Sequence, residues 1–94
     1  MSKKHMFLEV DEETRSVHLV GYGLKLSNTE FDILNIILDN DLINADDIFQ
    51  ALGGKISKKS IPVHINSINN KAFEISGRKL ISFSDKGYHF AKYL

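Results

Sequence analysis

A chain of 94 residues with no cysteine, 43% apolar residues and equal numbers of acids and bases describes one small globular domain. It excludes a disulfide scaffold, a thiolate metal site, and a protein that coats nucleic acid through net charge alone. A helical membrane span or signal peptide is not expected, because the apolar runs are only a few residues long. The expectation is a soluble cytoplasmic domain without a cofactor.

Residues 1–6 read as a frayed or disordered N-terminus, with His5-Met6 resembling a cloning scar at the head of an excised fragment; the domain proper is expected over residues 7–94. Residues 6–10 and 16–20 read as two short strands around the polar turn Asp11-Glu12-Glu13-Thr14. After Gly21 and Gly23, residues 24–26 are expected to form a third strand, which makes an antiparallel meander.

Ser27-Asn28-Thr29-Glu30 has the form of a capping box, in which the Ser27 hydroxyl accepts from the Glu30 amide and the Glu30 carboxylate accepts from the Ser27 amide. Phe31, Leu34, Ile37 and Leu38 follow at helical spacing, thickened by Ile33 and Ile36, until Asn40-Asp41 ends the helix. Asn44 caps a second, shorter helix carrying Ile48, Phe49 and Leu52, and Gly53-Gly54 stops it. Asp46 and Asp47 in its first turn suit the helix dipole and read as structural, not catalytic.

The stretch from Lys58 to Ala72 predicts a third helix. Ile61, Ile65, Ile68 and Ala72 recur at i, i+4, i+7 and i+11 and form a buried stripe. Pro62 is tolerated only in a first turn, so the helix starts within residues 60–62. Lys58 and Lys59 then sit beside its N-terminus, where free amides favour a phosphate. The opposite side carries Lys59, Val63, Asn66, Ser67 and Asn70. An asparagine amide donates and accepts at once and can bond adenine bidentately, although the same residues also make an ordinary solvated face. Beyond Gly77-Arg78, residues 80–84 and 88–93 read as a hairpin around Asp85-Lys86-Gly87, with Gly87 at positive φ, Ile81 and Phe83 on one face, and Ser82 and Ser84 on the other.

Charge divides along the chain. Residues 1–52 hold ten acids and four bases, a net −6, whereas residues 53–94 hold eight bases and two acids, a net +6. The neutral total therefore describes a dipolar molecule with a positive pole in its C-terminal half. Such a pole suits phosphates or an acidic partner, and a solvated surface without a partner equally well. Catalysis is not expected. His5, His18, His64 and His89 are scattered without ligand spacing, no loop cradles a phosphate, and His64, towards the apolar edge of its helix, reads as packed or phosphate-contacting.

Strands, helix, short helix, glycine turn, longer helix and hairpin, in that order, make an α+β winged helix-turn-helix with an N-terminal antiparallel sheet. Four stretches carry a resemblance. Gly23-Leu24-Lys25-Leu26-Ser27-Asn28-Thr29-Glu30-Phe31 follows G-x-x-L-T-x-x-E-F, with Ser27 in place of Thr, and Leu34 continues it. Ile43-Asn44-Ala45-Asp46-Asp47-Ile48 opens the second helix, Ile61-Pro62-Val63-His64-Ile65 follows V-D-V-H-I, and Gly87-Tyr88-His89-Phe90 follows G-Y-x-F/L. From about Phe7 to its end the chain resembles the C-terminal effector domain of OmpR/PhoB-type response regulators of two-component systems. The resemblance implies double-stranded DNA as partner, with the third helix in the major groove and the hairpin wing at the backbone or minor groove. It also implies a homodimer on repeated half-sites, a contact with the transcription machinery, and an N-terminal receiver domain removed from this chain; a receiver's phosphoacceptor site has no room here.

The departures fall on the contact surface. Family members carry I-x-R-L-R-x-K along the recognition helix, where this chain has Ile65-Asn66-Ser67-Ile68-Asn69-Asn70-Lys71, and the wing arginine is Ser84. Every arginine–phosphate interaction that is missing flattens the salt dependence of binding by about one unit. Two readings follow. In one, Asn66, Asn69 and Asn70 read bases while Lys58, Lys59, Lys71 and Lys86 hold the backbone, with Ser60, Val63, His64, Ser67 and Ser84 completing the surface. In the other, a degenerate winged helix has turned this surface to a protein partner and binds little DNA.

Overall fold

The computed structural model describes the backbone of residues 2–5 and residues 7–91 in full; the expected end of the wing strand, residues 92–93, lies outside the described residues. Four strands, β1 (Ser2–His5), β2 (Leu8–Asp11), β3 (Ser16–Leu19) and β4 (Tyr22–Gly23), form an antiparallel meander in chain order. Helices α1 (Asn28–Leu38), α2 (Ala45–Ala51) and α3 (Ile61–Ser76) follow, and β5 (Ile81–Ser84) and β6 (Gly87–Phe90) close the chain as a hairpin. The winged helix-turn-helix with an N-terminal sheet is therefore present.

Two local readings are corrected. Instead of fraying, Ser2–His5 adds to the sheet, with Lys3 opposite Val10 and His5 opposite Leu8; pairing there satisfies the backbone edge that β2 would otherwise expose. The strand expected at residues 24–26 lies earlier, at Tyr22–Gly23. A two-residue turn at Val20-Gly21 sets Leu19 opposite Tyr22, so the returning strand begins at once. Leu24 still donates to the Val17 carbonyl at 2.8 Å, and the chain then leaves the sheet for the Ser27 cap.

That turn holds a strained residue. Val20 has φ 53° and Gly21 φ 81°, the left-handed pair of a type I′ turn, which favours Asn-Gly. A β-branched side chain in this region costs roughly 1–2 kcal/mol, and Val20, half exposed, recovers little of that by burial. Val20→Asn should therefore raise the unfolding free energy by about 1 kcal/mol, read from the urea midpoint. An unchanged or lower midpoint would mean that contacts of the valine outweigh its strain.

The period-two pattern of the sheet and the helical stripes meet in one core. Leu8, Val10, Val17 and Leu19 point inward as opposed pairs, Leu8 with Leu19 and Val10 with Val17, while Glu9 and His18 face out. Against them lie Phe31, Ile33, Leu34, Ile37 and Leu38 of α1, Ile48 of α2, and Ile61, Ile65, Ile68 and Ala72 of α3. Each large aliphatic side chain buried in this way contributes roughly 1.5–3 kcal/mol, which holds α1 and α3 together despite their long separation in sequence. Arg15 clamps the β2–β3 turn onto the start of α1: its guanidinium lies 4.5 Å above the Phe31 ring and donates to Asp32 at 2.7 Å.

The remaining elements position the outer helix and the wing. A 3-10 turn over Lys58–Ser60 runs directly into α3, with Pro62 in the first turn, where its missing N–H leaves no bond unmade. The helix continues past the apolar stripe to Ser76 and stops at Gly77, whose left-handed backbone (φ 73°) lets its N–H reach the Phe73 carbonyl at 2.8 Å. The wing is fastened to the α1–α2 connection: Ile43 donates to the Tyr88 carbonyl at 3.0 Å and Tyr88 to the Ile43 carbonyl at 2.7 Å. Among the described residues, no helix is long and apolar enough to cross a membrane.

Candidate nucleic-acid interface

The helix phase set by Ile61, Ile65, Ile68 and Ala72 leaves a ridge on the far side of α3. Val63 is 65% exposed, Asn66 and Asn70 are exposed, and His64 and Ser67 lie half buried on its shoulder. The 3-10 turn brings Lys58 and Lys59 to the head of this ridge. Ser57 organises the turn: its hydroxyl accepts from the Lys59 amide at 3.2 Å and its carbonyl accepts from the Ser60 hydroxyl at 2.6 Å.

The lysines are gathered, not scattered. A groove of about 460 Å³ between the head of α3 and the wing is lined by Lys58, Lys59 and Lys86, with the carboxylates Asp46 and Asp85 and the rings of Phe83 and Tyr88. Lys59 and Lys86 form no ion pair with a described residue. Lys58 meets Asp46 at 2.6 Å, but both side chains are largely exposed. Such a pair contributes about 0–1 kcal/mol, so an incoming phosphate can displace the carboxylate. A second groove, of about 440 Å³, runs between α3 and the wing past Pro62, Asn66, Lys79 and Phe83.

Three expected site residues are placed differently. Asn69 is buried and faces the wing, not the solvent: its amide donates to the Ile81 carbonyl at 2.9 Å and its carbonyl accepts from the Leu80 and Ile81 amides at 3.0 and 2.8 Å. A base-reading role for Asn69 is corrected accordingly, because one step of about 100° from Asn70 turns its side chain to the body. Lys71 points back to α1, where its ammonium meets the buried Glu30 carboxylate at 2.6 Å. Ser84 closes the wing turn by donating to the Gly87 carbonyl at 3.3 Å.

Glu30 joins the two helices through one side chain. Its Oε1 accepts from the Ser27 amide at 2.8 Å, completing the capping box, and from Lys71 as well. Burial pushes this carboxyl up, but hydrogen bonds from Lys71, Ser67 and the Ser27 backbone, together with the Lys71 charge, outweigh burial and bring it from 4.5 to about 2. A group depressed on folding stabilises fully above its unfolded value and loses that contribution as pH falls. Between pH 4.5 and about 2 the domain should therefore lose about 3 kcal/mol through this residue alone. Urea unfolding across that window should show the loss in the parent and a correspondingly smaller one in Glu30→Gln; equal losses in both would reject the assignment.

Phe83 is the residue that sequence reasoning missed. Strand alternation groups it with Ile81, which is buried, yet Phe83 is 69% exposed because the hairpin projects beyond the body that covers Ile81. Its ring lies 4.9 Å from that of Tyr88 and borders both grooves. An aromatic residue two positions before the wing turn was the available signal. His89 lines a different cavity, beside Leu38 and Asp41, and no group of three or more His, Asp or Glu among the described residues could hold a metal ion.

No family model and no curated protein matches the sequence. Solved structures do match. A redox sensor of the streptococci, from a family described as evolved from two-component response regulators, superposes with a TM-score of 0.85 at 15% identity over 96% of this chain. This chain spans 42% of that one. The RstA DNA-binding domain of Klebsiella pneumoniae, in complex with the RstA box, gives 0.78 at 24% identity, covering 96% of each chain. The C-terminal effector domain of BfmR from Acinetobacter baumannii gives 0.71 at 27% identity, covering 95% of this chain and 88% of its own. The fold is that of the winged-helix effector domains of OmpR/PhoB-type response regulators.

Proposed function

We propose that this chain is a sequence-specific double-stranded DNA-binding domain of a transcriptional regulator, with α3 in the major groove and the β5–β6 wing against the backbone or minor groove. The observation that carries this reading is the gathering of Lys58, Lys59 and Lys86 around one groove at the head of an exposed polar ridge. Ammonium groups there can hold phosphates on either side of a groove into which Val63, Asn66 and Asn70 project. The likeness to a domain held on its DNA box supports the same docking. Residues 7–94 form the DNA-binding unit in this reading, and it acts in the cytoplasm.

With roughly three phosphates neutralised per copy, the logarithm of the binding constant should fall with a slope of about −3 against the logarithm of salt. That is weak for one copy, so a homodimer on repeated half-sites is proposed, within a longer protein that has a receiver domain and contacts the transcription machinery. Asn66→Ala and Asn70→Ala should each weaken binding to the specific site by about 1–3 kcal/mol and leave binding to random duplex nearly unchanged. Equal losses on both duplexes, by fluorescence anisotropy, would remove the amides from base readout.

A second reading has its own observation. Lys58 and Lys71 are paired with acids while Val63 and Phe83 are bare, as a surface for a protein partner would have them. A flat salt dependence on random duplex, with partner capture that survives nuclease, would select this reading over the first.

A further inference from the structure

The ridge of α3 is chemically one-sided. Guanine in the major groove is read by arginine or lysine, adenine by asparagine or glutamine, and the thymine methyl by an apolar side chain. Along the exposed face from Val63 to Asn70 there is no arginine or lysine, Lys71 is turned onto Glu30, and Lys58 and Lys59, in the turn ahead of the helix, hold phosphates in the DNA-binding reading. What faces outward is one valine and two asparagines, Val63, Asn66 and Asn70, at i, i+3 and i+7. The side chains of Asn66 and Asn70 are exposed and enter no hydrogen bond with a described residue, so both side-chain amides are available in full, unlike that of Asn69. Residues four apart on a helix lie roughly 5–6 Å from each other at Cβ, so the two amides address base pairs one or two steps apart at a spacing of about 3.4 Å. Glu74, the only carboxylate on the exposed face of α3, stands a turn beyond Asn70. In helix-turn-helix docking the N-terminal part of the recognition helix reaches the base edges, which leaves Glu74 outside the read segment.

We infer that α3 selects a run of A·T pairs through the major groove, Asn66 and Asn70 each bonding an adenine and Val63 packing on a thymine methyl, with no guanine read. This rests on the DNA-binding reading and names the class of sequence that the site takes. Val63 is then a specificity-determining residue, and its 65% exposure leaves its methyl groups free to meet the thymine methyl.

The 94-residue chain, presented with random duplexes and taken through rounds of selection, should enrich half-sites with an uninterrupted A·T core of about three or four pairs. On the selected duplex, 7-deazaadenine, which removes the major-groove acceptor N7, should weaken binding roughly tenfold at each contacted adenine. Deoxyuridine in place of the contacted thymine, which removes only the methyl, should weaken it roughly fourfold. Asn66→Ala and Asn70→Ala should each abolish the 7-deazaadenine penalty at one adenine, and Val63→Ala the deoxyuridine penalty. A selected core containing G·C pairs, or equal affinity for all duplexes, overturns this inference and leaves DNA binding intact. An A·T preference indifferent to both base analogues also overturns it, because selection then lies outside the major groove. Failure to bind any duplex at low salt overturns the DNA-binding reading and this inference together.

Discussion

Gly87→Ala should lower the unfolding free energy by about 3–5 kcal/mol, a loss large enough to leave a domain of this size marginal. Gly87 sits at φ 139°, where side chains are rarely accommodated, and a Cβ built there would lie 2.5 Å from the Ile43 carbonyl oxygen and 2.9 Å from the Asn44 amide nitrogen. Both are backbone atoms, so no rotamer change relieves the clash. Either the wing swings off the α1–α2 connection, breaking the paired Ile43–Tyr88 hydrogen bonds, or the connection itself shifts. Urea unfolding measures the loss, and hydrogen exchange at the Ile43 and Tyr88 amides locates it. A variant within about 1 kcal/mol of the parent, with both amides still protected, would show that the close approach is not a constraint. The effect reaches the proposed DNA surface too, because Lys86 immediately precedes this glycine and a displaced wing separates it from Lys58 and Lys59.

Asn69→Ala is expected to have the next largest effect, about 3–4 kcal/mol, from a residue that belongs to the same asparagine-rich run as Asn66 and Asn70. Its side chain bonds Ile81 in both directions, as a strand residue would, and accepts from Leu80 as well. It therefore fixes the start of the wing against α3. Truncation leaves two amides and a carbonyl without partners in a buried place, and each orphaned group costs about 1–3 kcal/mol before relaxation. Asn66→Ala and Asn70→Ala remove exposed side chains and should change stability by no more than about 0.5 kcal/mol. Denaturant unfolding of the three variants separates a structural asparagine from two surface ones. Similar stabilities for all three would contradict the placement of Asn69. In the same series, DNA affinity should follow stability only at Asn69.

The elements legible in the chain are those whose signals are local. A capping box, a Pro62 that tolerates only a first turn, glycines at the helix ends and two hydrophobic periods each involve residues within a few positions of one another. Backbone sterics and short-range hydrogen bonds suffice to read them. Even the α3 ridge follows from the phase of its buried isoleucines, which is why Val63, Asn66 and Asn70 group together on the sequence alone. Strand boundaries are less legible. The early strand at Tyr22 depends on a valine in a conformation it disfavours, and the pairing of Ser2–His5 depends on the need of β2 for a partner.

What the residues alone determined, then, is the order of elements, the winged-helix architecture and a polar outer ridge beside a basic half-chain. Tertiary contacts decided which polar groups remain available. Glu30 and Lys71 meet across 41 positions, so a cation expected to hold phosphate instead joins two helices. Asn69 turns inward because the wing supplies three partners that solvent would otherwise replace, and Phe83 stays bare because the hairpin extends past the core that covers Ile81. These outcomes depend on distances between elements far apart in the chain. Periodicity assigns a side chain to a face of its own helix or strand, but only packing determines what that face meets.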